Sequence, residues 1–320
     1  MKYRFCGDSG LQLPLVSLGF WHNFGDIDRF ATMKDIVFKA FEEGVTHFDL
    51  ANNYGPPPGS AELNFGRIMR EGLAGHRDEI VVSSKAGYPM WDGPYGTGGS
   101  RKYLMASIDQ SLRRTGLEYF DIFYSHRYCP ETPLEETAQA LIDIVHQGKA
   151  LYVGLSKYPV EKAREMCRIF EEQHVRCLIY QDKYNMLSRE PEKEHLDFMR
   201  EKGMGFIAFS PLAQGLLTNR YLHGVPEDSR VVKNGVFLRR DALTPEMMTK
   251  IARLDEFAAG RGQTLAEMSL SWLLGKDGLT SVIIGASSVS QLCDNLKAVE
   301  NIDFTADELR RIDDIIGVIG

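Results

Sequence analysis

Thr46-His47-Phe48-Asp49-Leu50-Ala51-Asn52-Asn53-Tyr54-Gly55 begins as a β-branched and aromatic run and breaks into polar residues. The run has the length of a short buried strand, and its surroundings have a different period. Upstream, Met33, Ile36, Val37, Ala40 and Phe41 fall at i, i+3, i+4, i+7 and i+8 within residues 28–43, and Gly44 closes that helix. Downstream, a second helix is expected near residues 60–71. A strand thus stands between two helices, with an acid at its end and a phenol five positions further on.

The alternation extends both ways. Residues 2–6 and 11–14 flank Gly7-Asp8-Ser9-Gly10, which is a hairpin signal. Leu15-Val16-Ser17-Leu18-Gly19 reads as a first buried strand. Further strands are expected at 80–83, 120–124, 150–155, 177–181, 205–209 and 281–284. Helices fall at 101–115, 159–173, 192–202, 246–275, 288–299 and 305–316. Another opens at Thr132-Pro133-Leu134-Glu135, with proline at the first helical position and a capping box, and ends at Gly148. Residues 210–244 form a long segment after the seventh strand. Eight strands, each followed by a helix, predict an α/β chain: a single (β/α)8 TIM barrel over residues 1–320, with an N-terminal β-hairpin and extra helices near the C-terminus. The competing open, doubly wound sheet usually carries Gly-x-Gly-x-x-Gly after its first strand. Here that position reads Gly19-Phe20-Trp21-His22-Asn23-Phe24.

Composition narrows the function classes. At 43% hydrophobic and 25% charged, 320 residues can bury a large core. The net charge is −7 and no lysine- or arginine-rich block occurs, which argues against a nucleic-acid partner. No uncharged apolar stretch of about 18 residues is present, so no membrane span is expected. The five cysteines are scattered without Cys-x-x-Cys and read as reduced thiols of a cytoplasmic protein.

In a barrel of this kind chemistry gathers at the C-terminal ends of the strands. The second strand ends at Asp49, with Tyr54 in its loop; the third ends at Lys85 and the fourth at His126. Each has a bland reading, as a rim charge, a loop anchor or a packed ring. Four ionisable groups converging on one mouth make the functional reading the stronger one. A phenol is a weak acid near neutrality; a nearby ammonium lowers its pKa, a carboxylate holds the ammonium, and an imidazole donates to a developing oxyanion. The set suits carbonyl reduction by hydride. A second site is expected at the last two strands. Phe209-Ser210-Pro211-Leu212-Ala213-Gln214-Gly215 follows one, and Gly285-Ala286-Ser287-Ser288 follows the other and opens a helix. Small residues at a helix start present free amides to a phosphate, and Arg220 and Arg230 could close over it. The bland alternative is N-capping by Ser287 or Ser288.

Asp49, Tyr54, Lys85 and His126 match, in order and strand position, the catalytic tetrad of the aldo-keto reductases, and the chain resembles that family over nearly its whole length. The supporting motifs are Phe48-Asp49-x-Ala51-x-x-Tyr54-Gly55, Ser60-Ala61-Glu62-x-x-Phe65-Gly66, Gly154-x-Ser156, the run from Ser210 to Leu217, and Gly285-Ala286-Ser287-x-x-x-Gln291-Leu292-x-x-Asn295. Pro56-Pro57-Pro58-Gly59-Ser60, Lys85-Ala86-Gly87-Tyr88 and Tyr124-Ser125-His126-Arg127 are similar to the branch of bacterial L-glyceraldehyde 3-phosphate reductases and potassium-channel β subunits.

The resemblance implies NADP(H) bound without a Rossmann fold, Tyr54 as proton donor, Lys85 and Asp49 tuning it, and His126 orienting a small carbonyl substrate. It implies that Ser156 and Gln181 hold the carboxamide, Phe209 stacks on the nicotinamide, and Trp21 borders both nicotinamide and substrate. Ser210, Leu212 and Arg220 would meet the pyrophosphate, and Arg230, Ser287, Gln291, Asp294 and Asn295 the adenosine end. It also implies self-association into a homo-oligomer. Lys157 departs from the family's usual asparagine after the motif serine. The vertebrate branch's lysine for the extra ribose phosphate falls at Gly285. The channel subunits tend to replace the tetrad histidine, which this chain keeps.

The loop at 87–99, with Tyr88 and Trp91, is expected to form one wall of the substrate pocket, or else a surface loop with packed rings. Arg127 either receives a phosphate or carboxylate or pairs with an acid. Three other readings compete. A metal-dependent hydrolase is prompted by His47-x-Asp49, but later strands end in Ser156 and Gln181, so no metal is expected. A Schiff-base lyase would use Lys85. A nucleotide-sensing auxiliary subunit would bind cofactor with slow or vestigial turnover.

Overall fold

The computed structural model describes residues 1–222, 224 and 240–317. Strands β1 (Tyr3–Phe5) and β2 (Gln12–Pro14) pair antiparallel, Tyr3 opposite Pro14, as the expected hairpin. Eight parallel strands follow: β3 (Val16–Gly19), β4 (His47–Asp49), β5 (Val81–Ala86), β6 (Phe120–Ser125), β7 (Ala150–Ser156), β8 (Cys177–Lys183), β9 (Gly205–Phe209) and β10 (Ser281–Ile284). They close in sequence order, and β10 completes the ring between β9 and β3. The last closure joins Val282 to Val16, so residues far apart in the chain become neighbours inside the barrel.

Among the described residues the α-helices are α1 (Phe30–Glu42), α2 (Ser60–Ile68), α3 (Arg101–Thr115), α4 (Leu134–His146), α5 (Val160–Glu172), α6 (His195–Glu201), α7 (Pro245–Gly260), α8 (Leu265–Leu274), α9 (Val289–Leu296) and α10 (Ala306–Ile316). Among the described residues, no helix is long and apolar enough to cross a membrane. The periodic residues Met33, Ile36, Val37 and Ala40 are the ones α1 buries. Their apolar stripe lies against the outside of the barrel, as helix periodicity requires.

The core has two parts. One lies between strands and helices. The other lies inside the barrel, where Val81, Ile122, Ile179, Ile207 and Ile283 meet, and Cys6 and Leu13 of the hairpin close its lower end. The interior is therefore filled at the bottom and polar at the top. Gly154 of the Gly-x-Ser motif stands where β7 meets the Tyr124 ring; a Cβ there would lie 2.5 Å from ring carbons. Glu62, fully buried on α2, accepts from Ser84 Oγ at 2.6 Å and from Arg114 Nε at 2.7 Å, tying α2 and α3 to β5.

Three local expectations need correction. Pro133 is the N-cap of α4 rather than its first helical residue, and no side chain caps that end. The expected helix over 246–275 is two helices, broken at Gly262 with φ +69°; the second starts at Thr264 with a true capping box to Glu267. The third barrel strand starts at Val81 and runs to Ala86, one residue past the Lys85 at which it was expected to end.

Candidate active site

Side chains two apart on a strand point the same way. His47 and Asp49 on β4, and Ser83 and Lys85 on β5, therefore share the barrel interior. Adjacent strands align Asp49 with Ser83. Lys85 and Asp49 are 0% and 2% exposed, and Lys85 Nζ lies 2.5 Å from Asp49 Oδ2. The same ammonium donates to the Leu50 carbonyl at 2.8 Å. The other carboxylate oxygen accepts from Ser83 Oγ at 2.7 Å and Gln181 Nε2 at 3.1 Å. Burial lowers the Lys85 pKa, and the Asp49 charge opposes that fall.

Beneath this pair a buried hydrogen-bond chain has its direction set by chemistry. A carboxylate only accepts, so Ser83 Oγ donates to Asp49 and is left to accept from His47 Nε2, 3.0 Å away. His47 then carries its proton on Nε2, and its Nδ1 accepts from Ser17 Oγ at 2.9 Å. Ser17 is in turn 2.7 Å from Ser281 Oγ on β10. Burial brings the His47 pKa down to about 4, which keeps the imidazole neutral. Ser17, Ser83 and Ser281 are not among the expected site residues, and His47, considered above only as a metal-ligand candidate, instead orients Ser83. Their signal is a polar residue at an inward position of a buried strand.

Tyr54 is partly buried in the loop after β4, with the Lys85 ammonium 5.2 Å from its ring centroid. Among the described residues none hydrogen-bonds its hydroxyl, which leaves that oxygen for a ligand. Its pKa lies well above the usual value, first through burial and then through the Asp49 charge. This differs from the expectation that Lys85 lowers it. The ammonium is committed to Asp49 and Leu50, so its field on the phenol is largely neutralised while desolvation remains. His126, just past β6, is 6% exposed and stands edge-on to Tyr54 at 5.9 Å and to Tyr88 at 4.6 Å between centroids. Burial, followed by the charges of Lys85, Lys157 and Arg127, pushes its pKa well below 6.5. The ring is neutral, and its buried Nδ1 has no partner among the described residues.

The expected cofactor residues can be placed one by one. Ser156 ends β7 with a buried Oγ that lacks a partner. Gln181 ends β8; its amide nitrogen is spent on Asp49, so its carbonyl oxygen is what remains for a ligand. Phe209 ends β9, with the Lys157 ammonium 4.9 Å from its ring centroid. Ser210, Ala213 and Gln214 take positive φ, forming a left-handed turn beside Leu212. Arg220 lies exposed in the turn Asn219–Tyr221. Arg230 falls outside the described residues. Gly285 is exposed, and a Cβ there would meet nothing within 4 Å. Ser288, not Ser287, caps α9. Ser287 donates to Gln291 Oε1 through both N and Oγ, and Asp294 pairs with Lys297 at 2.8 Å. Asn295 is buried, and its Nδ2 is also without a partner. Buried polar atoms rarely go unpaired. Two of them, Ser156 Oγ and Asn295 Nδ2, stand where the carboxamide and the adenosine of a nicotinamide dinucleotide are expected, so the residues fit that group.

Of the expected substrate residues, Trp21 is partly buried and tilted against His22. Trp91 packs on Tyr103 at 5.2 Å, whose hydroxyl donates to the Tyr88 carbonyl. Trp91 thus supports the loop, while Tyr88 faces His126. Arg127 donates through Nε to the Gly87 carbonyl at 3.0 Å and makes no ion pair among the described residues. A cleft of about 490 Å³ bounded by Arg4, Trp272, Lys276 and Phe304 contains none of these residues.

Comparison with known proteins bears on this arrangement. The model of the Aldo/keto reductase family matches residues 15–317. The L-glyceraldehyde 3-phosphate reductase of Escherichia coli (strain K12) is 55% identical over 319 residues, covering 98% of this chain and 92% of that protein. A protein of Schizosaccharomyces pombe, described as a putative voltage-gated potassium channel subunit beta, is 33% identical over 330 residues, covering 99% and 93%. A probable voltage-gated potassium channel subunit beta of Arabidopsis thaliana is 34% identical over 308 residues, covering 94% and 92%.

Proposed function

The chain belongs to the aldo/keto reductase family and is an oxidoreductase of carbonyl compounds, and from that premise we propose that it reduces small aldehydes with NADPH in the cytoplasm, glyceraldehyde 3-phosphate and methylglyoxal-like carbonyls among them. The observation that carries this reading is the Tyr54 hydroxyl, without a hydrogen-bond partner among the described residues and kept protonated beside the buried Lys85–Asp49 pair. The substrate class rests on the bacterial relative and on the cations at the mouth. The choice of NADPH rests on the family resemblance, and so does self-association, which light scattering would check.

Ser156 Oγ and the Gln181 carbonyl would hold the carboxamide, Phe209 would carry the ring, and Asn295 would meet the adenosine end. The bound cofactor supplies a hydride to the carbonyl carbon. His126, a neutral imidazole, donates a hydrogen bond to the carbonyl oxygen and aligns it. As that oxygen becomes an alkoxide, Tyr54 gives up its phenolic proton to it. The tyrosinate left behind is stabilised by the Lys85 ammonium, which is held by Asp49, whose carboxylate Ser83 and Gln181 fix in turn. Water then returns the proton to Tyr54 before the next turnover.

The test is oxidation of NADPH, and of NADH in parallel, by the purified protein with a panel of small aldehydes. Tyr54→Phe should lower turnover by about 10²–10⁴-fold. Equal turnover by Tyr54→Phe would remove the phenol from the mechanism. Cofactor binding without reduction of any aldehyde would favour an auxiliary, nucleotide-sensing role.

A further inference from the structure

The rim beside His126 carries two cations that the proton-transfer machinery does not use. Arg127 follows β6 and Lys157 follows β7. In the ladder joining these strands Ser125 is level with Leu155, so the residues two further along leave the barrel side by side. Both approach one ring: the Arg127 guanidinium carbon and the Lys157 ammonium each lie 5.2 Å from the centroid of Tyr88. Lys157 Nζ also reaches the Tyr88 hydroxyl at 3.0 Å. Among the described residues, neither cation pairs with a carboxylate. Asp182, on the next strand, is engaged by the Lys183 amide and the Tyr180 hydroxyl.

Two positive charges gathered on one ring, with no carboxylate in contact among the described residues, repel each other and the protonated form of His126, and the Asp182 carboxylate on the next strand offsets Lys157 only at longer range. The backbone adds to that cost. Lys157 has φ +54°, a left-handed conformation that non-glycine residues seldom take. An anion supplied by a ligand would relieve the charge. Among the described residues, only Nε of the Arg127 donors is used, on the Gly87 carbonyl, so the two terminal nitrogens remain for a bidentate contact. Lys157 adds a mobile point charge, and the Tyr88 hydroxyl a further donor. Tyr88 packs edge-on against His126, which places this cluster beside the ring that would meet the carbonyl.

We propose that Arg127, Lys157 and Tyr88 form a seat for the phosphate of a short phosphorylated aldehyde whose carbonyl lies at Tyr54 and His126. The seat rests on the reductase reading above and deepens it. It also gives Lys157 a role at the position where the family's usual asparagine would meet cofactor.

The experiment compares kcat/KM for glyceraldehyde 3-phosphate and for glyceraldehyde, with NADPH, in the wild type, Arg127→Met and Lys157→Met. Each variant keeps most of the side-chain length and removes the charge. The ratio of the two specificity constants should favour the phosphorylated aldehyde in the wild type. It should fall by roughly 10- to 100-fold in each variant, mainly through KM, as the loss of a charge-assisted hydrogen bond predicts. A ratio unchanged in both variants, with reduction intact, overturns the seat and leaves the reductase standing. Calorimetric titration of the NADP-loaded protein with inorganic phosphate tests the seat without turnover. Binding weakened in both variants supports it, and binding equal in all three proteins overturns it. Failure of every aldehyde to react would instead count against the reductase reading.

Discussion

Replacing Asp49 by asparagine keeps the shape of the site and removes one charge. The amide oxygen that the substitution leaves can still accept from Ser83, but Lys85 becomes a fully buried ammonium with, among the described residues, only the Leu50 carbonyl, at 2.8 Å, to receive it. Breaking a buried pair from one side typically costs about 3–5 kcal/mol, because the surviving charge stays desolvated. The pH dependence has a definite sign. Burial already lowers the folded pKa of Lys85, and Asp49 is the main influence raising it. Without Asp49 the folded pKa falls further, while the unfolded value stays at about 10.4. Between the two folded values the wild-type native state binds the proton and the variant does not, so the deficit shrinks as pH rises. Urea unfolding of both proteins from pH 6 to 10 should therefore show a deficit of about 3–5 kcal/mol on the acid side that closes toward pH ~10. A deficit below about 1 kcal/mol that does not change with pH would refute a charged, mutually dependent pair. The double variant Asp49→Leu with Lys85→Met should cost less than either single change, since no unpaired charge remains.

Two further outcomes follow from buried groups outside the tetrad. His47 has a folded pKa of about 4 against 6.5 unfolded, so it should contribute roughly 3 kcal/mol to the stability the wild type loses as pH falls through that interval; urea melts between pH 7 and 4 should show His47→Gln losing that much less, with the share due to the buried His126 remaining. Arg114→Met should strand the Glu62 carboxylate, fully buried and, among the described residues, otherwise bonded only to Ser84, and lower the unfolding free energy by about 3–5 kcal/mol, while Glu62→Gln in the same background should recover much of it.

The barrel was legible because its signal is repeated. A change of period from helix to strand occurs eight times, and no single misplaced boundary alters the count. The tetrad was legible for a related reason: in parallel β/α units every strand ends at the same face, so Asp49, Lys85 and His126 could be grouped before any contact was known. The chain from Ser281 through Ser17 and His47 to Ser83 was not legible. It exists because closure sets β10 against β3, and nothing local marks residues 17 and 281 as neighbours. The break at Gly262 was hidden by apolar residues that continue the helical pattern across it, and only the left-handed glycine and the Thr264 cap separate the two helices. At Thr132-Pro133-Leu134-Glu135 the motif was present and the geometry was not, since capping needs a side-chain bond that letters alone do not supply.

The direction of the Tyr54 shift changes what Lys85 does in the proposed mechanism. A phenol whose pKa is lowered at rest would spend part of its time as tyrosinate and have no proton to give. Here burial and the Asp49 charge hold the proton on Tyr54, and the Lys85 ammonium is balanced by Asp49 before any substrate arrives. Lys85 acts only once the proton has left, when a second negative charge appears on Tyr54, whose ring centroid is 5.2 Å away, and the ammonium must serve both anions. Its value then depends on Asp49 staying fixed while the charge moves, because a carboxylate free to rotate would follow the ammonium and undo the gain. The donors that restrain Asp49 come from β5 and β8, and Ser83 is itself aimed by His47 from below. A chain of neutral side chains through the floor of the barrel is suited to that task. It fixes a carboxylate oxygen in place without adding a charge that would compete for Lys85.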